Sequence, residues 1–151
     1  LPRTGSRSLA AAFETLGYNV WHGGIEGLSQ VPDLFQHYNV LIGLPGAVKL
    51  EAIPEQITLI NTVRDLEEWL DDYEFGPRLE LSDRQQLQRQ RLFGQVEFDR
   101  EVWRQAYERY QELMETIVIS RQVFSFNVYA REGWAELYTI TGRQVPFPTV
   151  Y

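Results

Sequence analysis

Hydrophobic residues along the chain follow two spacings, one typical of helices and one typical of strands. Four segments rich in β-branched or aromatic residues predict strands: 18–21, 39–42, 57–63 and 123–129. Six segments with helical periodicity or helix-ending signals predict helices: 9–16, 32–37, 65–74, 82–93, 99–117 and 132–141. Because strands alternate with helices, the order predicts a three-layer α/β domain with a parallel sheet flanked by helices.

The most continuous apolar strand and the longest helix indicate where the core lies. The run Ile-Thr-Leu-Ile-Asn-Thr-Val at 57–63 suits a central parallel strand that is covered on both faces. Trp103, Tyr107 and Tyr110 recur at helical spacing, which predicts core packing rather than a binding stripe. The polar Gln/Arg-rich segment 84–91 is either a solvated helix or a helix that contacts a partner protein.

Length and composition indicate one soluble domain over residues 1–151. The chain has 151 residues, of which 44% are hydrophobic, and that is enough to build a packed core. The net charge of −7 argues against nucleic-acid or anionic-membrane binding, because phosphate repels negative charge. No apolar run approaches the ~20 residues that cross a bilayer, so we expect no membrane span and a cytoplasmic location. The lack of cysteine excludes disulfides and a thiol nucleophile, and two isolated histidines predict no metal site.

The opening segment Pro-Arg-Thr-Gly-Ser-Arg-Ser at 2–8 runs directly into the first predicted helix. Amide N–H groups at a helix N-terminus and the helix dipole both favour a bound anion, and Arg3 adds a full positive charge beside them. A Walker A loop is excluded because Gly5 is followed by Ser6 rather than by lysine. The segment is therefore either an oxyanion-binding loop or an ordinary helix-capping loop with a surface arginine.

Several segments resemble motifs of one known family, and they occur along the chain in the same order as in that family. The first nine residues, Leu-Pro-Arg-Thr-Gly-Ser-Arg-Ser-Leu, are followed by Leu-Gly-Tyr at 16–18 and by His22. This part resembles the 5′-phosphosulfate loop and first helix of P-loop sulfotransferases of the bacterial type. The run 57–69 is similar to that family's strand-Arg-Asp-Pro-Glu-x-Trp motif. Other segments resemble its remaining motifs: 33–38, 98–103, 106–110, 132–137 and 145–148.

The resemblance implies a P-loop sulfotransferase-like fold with 3′-phosphoadenosine 5′-phosphosulfate as donor co-substrate. A sulfuryl group would pass from that donor to a hydroxyl or amine acceptor of unknown identity. Arg3 would stabilise the leaving phosphate, and Arg64 matches the family's contact to the 3′-phosphate. The other loop residues would hold the 5′-phosphosulfate: Thr4, Gly5, Ser6, Arg7 and Ser8.

The chain departs from the family pattern at positions that matter for chemistry. Asp72 stands where the family has a serine that helps to bind the 3′-phosphate, and it would put a carboxylate against a phosphate. Gly43 stands where relatives have an aspartate near the acceptor, so the candidate base is lost. His22 could replace that base because its ordinary pKa suits proton abstraction near neutrality, although it could equally be a structural or surface histidine.

The family's first strand would precede Leu1, so we expect the native polypeptide to have residues upstream of the sequence. Two functions then compete. The first is an active sulfotransferase, which the loop and Arg64 favour. The second is an inactive sulfotransferase-fold protein that serves as a binding or assembly subunit. Asp72, the acidic helix that carries it, and Gly43 favour this second function.

Overall fold

The structure is a computed structural model that describes residues 3–22, 31–43, 53–76, 80–120 and 122–143. Its helices are α1 (Ser6–Thr15), α2 (Val31–Leu34), α3 (Leu66–Glu74), α4 (Asp83–Phe93), α5 (Arg100–Ser120) and α6 (Trp134–Thr141). Its strands are β1 (Val20–His22), β2 (Val40–Ile42), β3 (Leu59–Thr62) and β4 (Val123–Phe126). Some sequence features lie outside the described residues, namely Leu1, Pro2 and the segment 145–148.

The described strands pair in parallel, as the sequence predicts, but they form two separate two-stranded sheets. In one sheet β1 lies beside β2, with Val20 opposite Val40. In the other sheet β3 lies beside β4, and Leu59 is opposite Val123. The mixed α/β class with parallel strands is therefore confirmed. The single sheet of a three-layer P-loop fold is not present among the described strands.

Helix α1 packs against strands of both sheets. Its buried Leu9 and Phe13 belong to one apolar cluster with Ile42 of β2 and Phe126 of β4. Trp134 of α6 completes that cluster and meets the Phe126 ring edge-on at 4.6 Å between centroids. Because burial of this apolar surface stabilises both sheets at once, α1 fixes where its own N-terminus lies relative to the strand ends.

A second core consists of aromatic side chains from α3, α4 and α5. Trp69 and Trp103 are fully buried, and the ring of Phe93 stacks on Trp103 at 3.9 Å. Tyr107 packs against Trp69 at 5.3 Å. The prediction that Trp103 and Tyr107 pack in the core is confirmed. Helix α4 contributes Phe93 to this core and is otherwise largely exposed.

Helix α5 also covers one face of the β3–β4 sheet. Met114 and Ile117 of α5 are buried with Leu59 of β3. Tyr110 lies in the same region, and its hydroxyl donates a hydrogen bond to Oδ1 of the buried Asn61 at 2.7 Å. This bond satisfies a polar side chain inside the sheet face, so Tyr110 has a structural role there.

Two elements near the end of the chain are shorter than the sequence predicts. The strand 123–129 ends at Phe126, because Asn127 begins a turn that closes with an antiparallel bridge to Glu132. The helix 132–141 begins only at Trp134, after Gly133 with a φ of 89°. A Cβ at Gly133 would lie 2.5 Å from the carbonyl oxygen of Ser125, so the close approach of the turn to β4 requires glycine.

No helix in the described ranges is both long and apolar enough to cross a membrane.

Candidate functional site

The loop before α1 is anchored to the end of β3. Thr4 is buried, and its hydroxyl shares a hydrogen bond of 2.7 Å with the hydroxyl of Thr62, the last residue of β3. Arg3 has a φ of 62°, in the left-handed region that non-glycine residues seldom adopt. The loop therefore turns sharply at the carboxyl end of a parallel strand, where ligands commonly bind in α/β proteins.

Gly5 is the N-cap of α1, and two constraints require glycine there. Its φ is 98°, and a Cβ would lie 2.5 Å from Cγ2 of Val128. The turn after β4 thus packs directly on the loop. Because a side chain at this position would push the two segments apart, Gly5 keeps the loop and the turn in contact.

Residues Ser6 to Ser8 form the first turn of α1. The first intrahelical bond runs from the N–H of Leu9 to the carbonyl of Gly5, at 3.1 Å. Amide groups in a first turn have no intrahelical acceptor, so the Ser6, Arg7 and Ser8 N–H groups give this end partial positive charge. Arg7 is exposed and Ser8 is buried, so only Arg7 of the two can reach a ligand from solvent with its side chain.

Arg64 follows β3 and lies beside the loop. Its Nη1 donates to the carbonyl oxygen of Arg3 at 3.4 Å. The hydroxyl of Tyr107 donates to the backbone carbonyl of Arg64, which fixes the chain at this point. The two arginines that the sequence singles out are therefore brought together, although 61 residues separate them along the chain.

Asp72 lies between these two arginines. Its Oδ2 is 3.1 Å from Nη1 of Arg3 and 3.3 Å from Nη1 of Arg64. Nη1 of Arg3 also donates to the backbone carbonyl of Asp72 at 2.9 Å. A carboxylate oxygen of the chain itself thus occupies a position at which two cations converge.

Three of the four other acidic residues of α3 pair with a different partner. Arg100 of α5 bonds to Glu67 and to Asp71, each at 2.8 Å, and also to Glu74. These three carboxylates recur every three or four residues and so share one helix face. Asp72 directly follows Asp71, so its side chain lies about a quarter-turn further around the helix axis, toward the loop. This exposed face of α3 therefore forms ion pairs with α5.

Two aromatic rings cover the arginines. The guanidinium of Arg3 lies 4.4 Å from the centroid of the Tyr73 ring, and that of Arg64 lies 4.0 Å from the Tyr129 ring. Burial raises the pKa of Tyr73 to about 12, which keeps its hydroxyl neutral. The Arg64 side chain is only 11% exposed, and its buried Nε has no hydrogen-bond acceptor in the described part of the chain. Guanidinium groups held on aromatic faces are well oriented for planar anion recognition.

His22 lies at the end of β1, next to the first turn of α1. Its Nε2 is 3.4 Å from Oγ of Ser6. Partial desolvation and the charge of Arg7 lower the pKa of His22, against the opposite effect of Glu14. This shift favours the neutral imidazole, the form that can accept a proton near the loop.

Comparisons of this chain with protein-family models, with curated proteins and with solved structures find no match.

The geometry brings together most residues that the sequence selects. Arg3, Arg64 and Asp72 form one hydrogen-bonded group, while Ser6 and His22 form a second contact at the first turn of α1. The sequence analysis does not select Val128 and Tyr129, which lie in the turn after β4. The signal that could have located this turn is Asn127, because asparagine is common in turns. Gly43, the position of the lost aspartate, follows β2 and is exposed.

Proposed function

We propose that the chain binds a nucleotide carrying phosphate or sulfate groups at Arg3 and Arg64. The observation that carries this proposal is the convergence of both guanidinium groups on one carboxylate oxygen, at 3.1 and 3.3 Å. Two cations that share an oxyanion are a common arrangement for phosphate recognition. The first turn of α1 lies directly after Arg3, so its amide groups could hold a second anionic group.

The resemblance to P-loop sulfotransferases suggests which ligand and which reaction. The donor would be 3′-phosphoadenosine 5′-phosphosulfate, and its sulfuryl group would pass to a hydroxyl or amine acceptor. The bond between sulfur and the bridging phosphate oxygen breaks, and a bond from sulfur to the acceptor atom forms. Arg3 would neutralise the charge that develops on the leaving phosphate, which departs as adenosine 3′,5′-bisphosphate.

His22 is the candidate base for this reaction. A neutral imidazole beside Ser6 could take the acceptor proton as the new bond forms. Its lowered pKa increases the fraction of neutral imidazole at a given pH, while it also makes His22 a weaker base than an ordinary histidine. Arg3 is then a charge stabiliser and His22 a proton acceptor, which is the division of roles that the sequence suggests.

Asp72 favours a second function, that of a non-catalytic binding or assembly subunit. In this case its carboxylate is the permanent counter-ion of Arg3 and Arg64, and the arginine pair stabilises the fold instead of a ligand. Like charges at contact distance repel, so any bound phosphate must displace or compensate this carboxylate. Both functions use the same contacts but differ in whether an external anion can replace Asp72.

Titration calorimetry with adenosine 3′,5′-bisphosphate tests the first function. We expect binding by the unaltered chain, and at least tenfold weaker binding by Arg3→Ala and by Arg64→Ala, because each loses a charge-assisted hydrogen bond of about 1.5–3 kcal/mol. Arg109→Ala is a matched control, since Arg109 is an exposed arginine of α5. Its affinity should stay within twofold of the unaltered chain.

The same titration separates the two functions. If the unaltered chain binds no nucleotide at millimolar concentration, the arginine pair serves only the fold, and the assembly function is supported. If binding is present, incubation with the sulfuryl donor and simple alcohol or amine acceptors should release adenosine 3′,5′-bisphosphate. His22→Gln should slow that release without weakening nucleotide binding; unchanged turnover would exclude His22 as the base.

A further inference from the structure

Tyr129 is an exposed aromatic residue directly at the arginine pair. Its ring lies 4.0 Å from the Arg64 guanidinium, yet 52% of its surface is exposed. Exposed tyrosines are common, but a ring already stacked on a candidate phosphate-binding arginine is a more specific arrangement. An aromatic ring has two faces, and the face that Arg64 does not cover could contact a ligand bound beside it.

The turn that carries Tyr129 is held in place on both sides. Oδ1 of Asn127 accepts hydrogen bonds from the N–H groups of Tyr129 and Ala130, each at 3.1 Å. The backbones of Asn127 and Glu132 exchange two hydrogen bonds, of 3.0 and 2.9 Å, across the base of the turn. Val128 packs against Gly5 of the loop. The ring is therefore presented by an ordered turn, which lowers the entropy cost of ligand binding.

The anion and the ring together define a class of ligand. Guanidinium groups bind any oxyanion, including inorganic phosphate, so the arginines alone do not select a nucleotide. A planar aromatic group attached to that anion can stack on the tyrosine ring, and a nucleobase is such a group. Phe75 is more exposed, at 77%, but among the described residues no guanidinium contact links its ring to the site.

We propose that Tyr129 determines ligand specificity at this site, because its ring stacks on the base of a nucleotide whose phosphate binds Arg3 and Arg64. The inference rests on the proposed nucleotide binding and adds the residue that distinguishes nucleotides from anions without an aromatic group. Because the Tyr129 ring also lies on the Arg64 guanidinium, stacking on the base must be distinguished by experiment from an effect through that arginine.

Two probes and two variants separate these roles. Adenosine 3′,5′-bisphosphate carries a base and pyrophosphate does not, and calorimetry measures both affinities. Tyr129→Leu removes the aromatic ring but keeps apolar bulk, whereas Tyr129→Phe keeps the ring. We expect Tyr129→Leu to weaken nucleotide binding about 5- to 150-fold, which is the usual loss of affinity when the aromatic partner of one stacked base is removed. Pyrophosphate affinity should stay within twofold, and Tyr129→Phe should match the unaltered chain for both probes.

Three results would overturn the inference. Equal weakening of both probes in Tyr129→Leu would mean that Tyr129 acts only by orienting Arg64. Unchanged nucleotide affinity in that variant, while the unaltered chain binds pyrophosphate, would refute stacking and leave the arginine site intact. Binding of neither probe by the unaltered chain would refute the proposed function as well. Should Tyr129→Leu misfold, Tyr129→Gln at the same exposed position gives the same comparison.

Discussion

The substitution Asp72→Asn removes the negative charge between Arg3 and Arg64 and keeps the size of the side chain. A phosphate oxygen bound by both arginines would lie within about 4 Å of this side chain, where two unit charges repel by about 1 kcal/mol in water and about 4 kcal/mol at an effective dielectric constant of 20. The Asp72 side chain is 33% exposed, so solvent screens it substantially. We take about 1–2 kcal/mol, which corresponds to about 5- to 30-fold tighter binding of adenosine 3′,5′-bisphosphate.

The expected gain has a matched control on the same helix. Asp71→Asn makes the same change in net charge, but Asp71 pairs with Arg100 and contacts neither arginine of the site. Titration calorimetry of both variants at low and high salt should show tighter binding only for Asp72→Asn, with a smaller gain at high salt. Urea unfolding should show a loss of about 1 kcal/mol in Asp72→Asn, because the asparagine oxygen still accepts hydrogen bonds but has no charge. Equal affinity gains in the two variants would mean that the effect is one of net charge, and the reasoning about Asp72 would be wrong.

Three further substitutions test the fold by urea unfolding. Gly5→Ala should lower the free energy of unfolding by about 2–4 kcal/mol, because the new Cβ would meet both a left-handed φ and a 2.5 Å contact with the Val128 side chain. Gly94→Ala is the control: Gly94 also has a positive φ but has open space around it, so this change should lower the free energy of unfolding by only about 1 kcal/mol. Hydrogen bonds from Arg104 and Arg100 lower the pKa of Glu67 from 4.5 to about 2. The contribution of Glu67 to stability is therefore present above pH 4.5 and is lost as the pH falls toward 2. Glu67→Gln should flatten the dependence of stability on pH in this range. Burial raises the pKa of Tyr110 to about 12, so the unfolded chain ionises first and stability falls between about pH 10 and 12. Tyr73 contributes to the same fall, so Tyr110→Phe should reduce it without abolishing it, and should cost about 1–2 kcal/mol at pH 7. A Gly94→Ala loss equal to that of Gly5→Ala, or an unchanged pH dependence in either of the other variants, would contradict the corresponding contact.

Much of the secondary structure can be predicted from local patterns. The helix that ends before Gly17 and the one that Ser82 caps lie where apolar periodicity and capping residues place them. The strand 57–63 is predicted in its central part, but only Leu59–Thr62 pairs as a strand. The strand 123–129 is predicted too long, because its aromatic residues favour a strand although Asn127 favours a turn. Local composition does not fix these boundaries: pairing with the distant β4 limits β3, and the turn from Asn127 to Glu132 ends β4.

The site is only partly predictable for the same reason. Parallel strands bring their carboxyl ends together, so the meeting of the Arg3 loop with Arg64 follows from the order of elements and the resemblance. The position of Asp72 on α3 indicates that it leaves the acidic face, but its bond to Arg3 depends on where the distant loop lies. Tyr129 and the contact between His22 and Ser6 likewise depend on the packing of segments far apart in sequence.

The pairing of β3 with β4 has a consequence for the order of folding. All of α3, α4 and α5 lie in the chain between these two strands, so the pair can form only after a long loop has closed. The aromatic contacts among those helices involve shorter separations, and their formation would shorten the effective loop before the strands meet. We therefore expect weakened contacts at Trp103 to slow refolding, whereas weakened contacts at Phe126 should mainly accelerate unfolding.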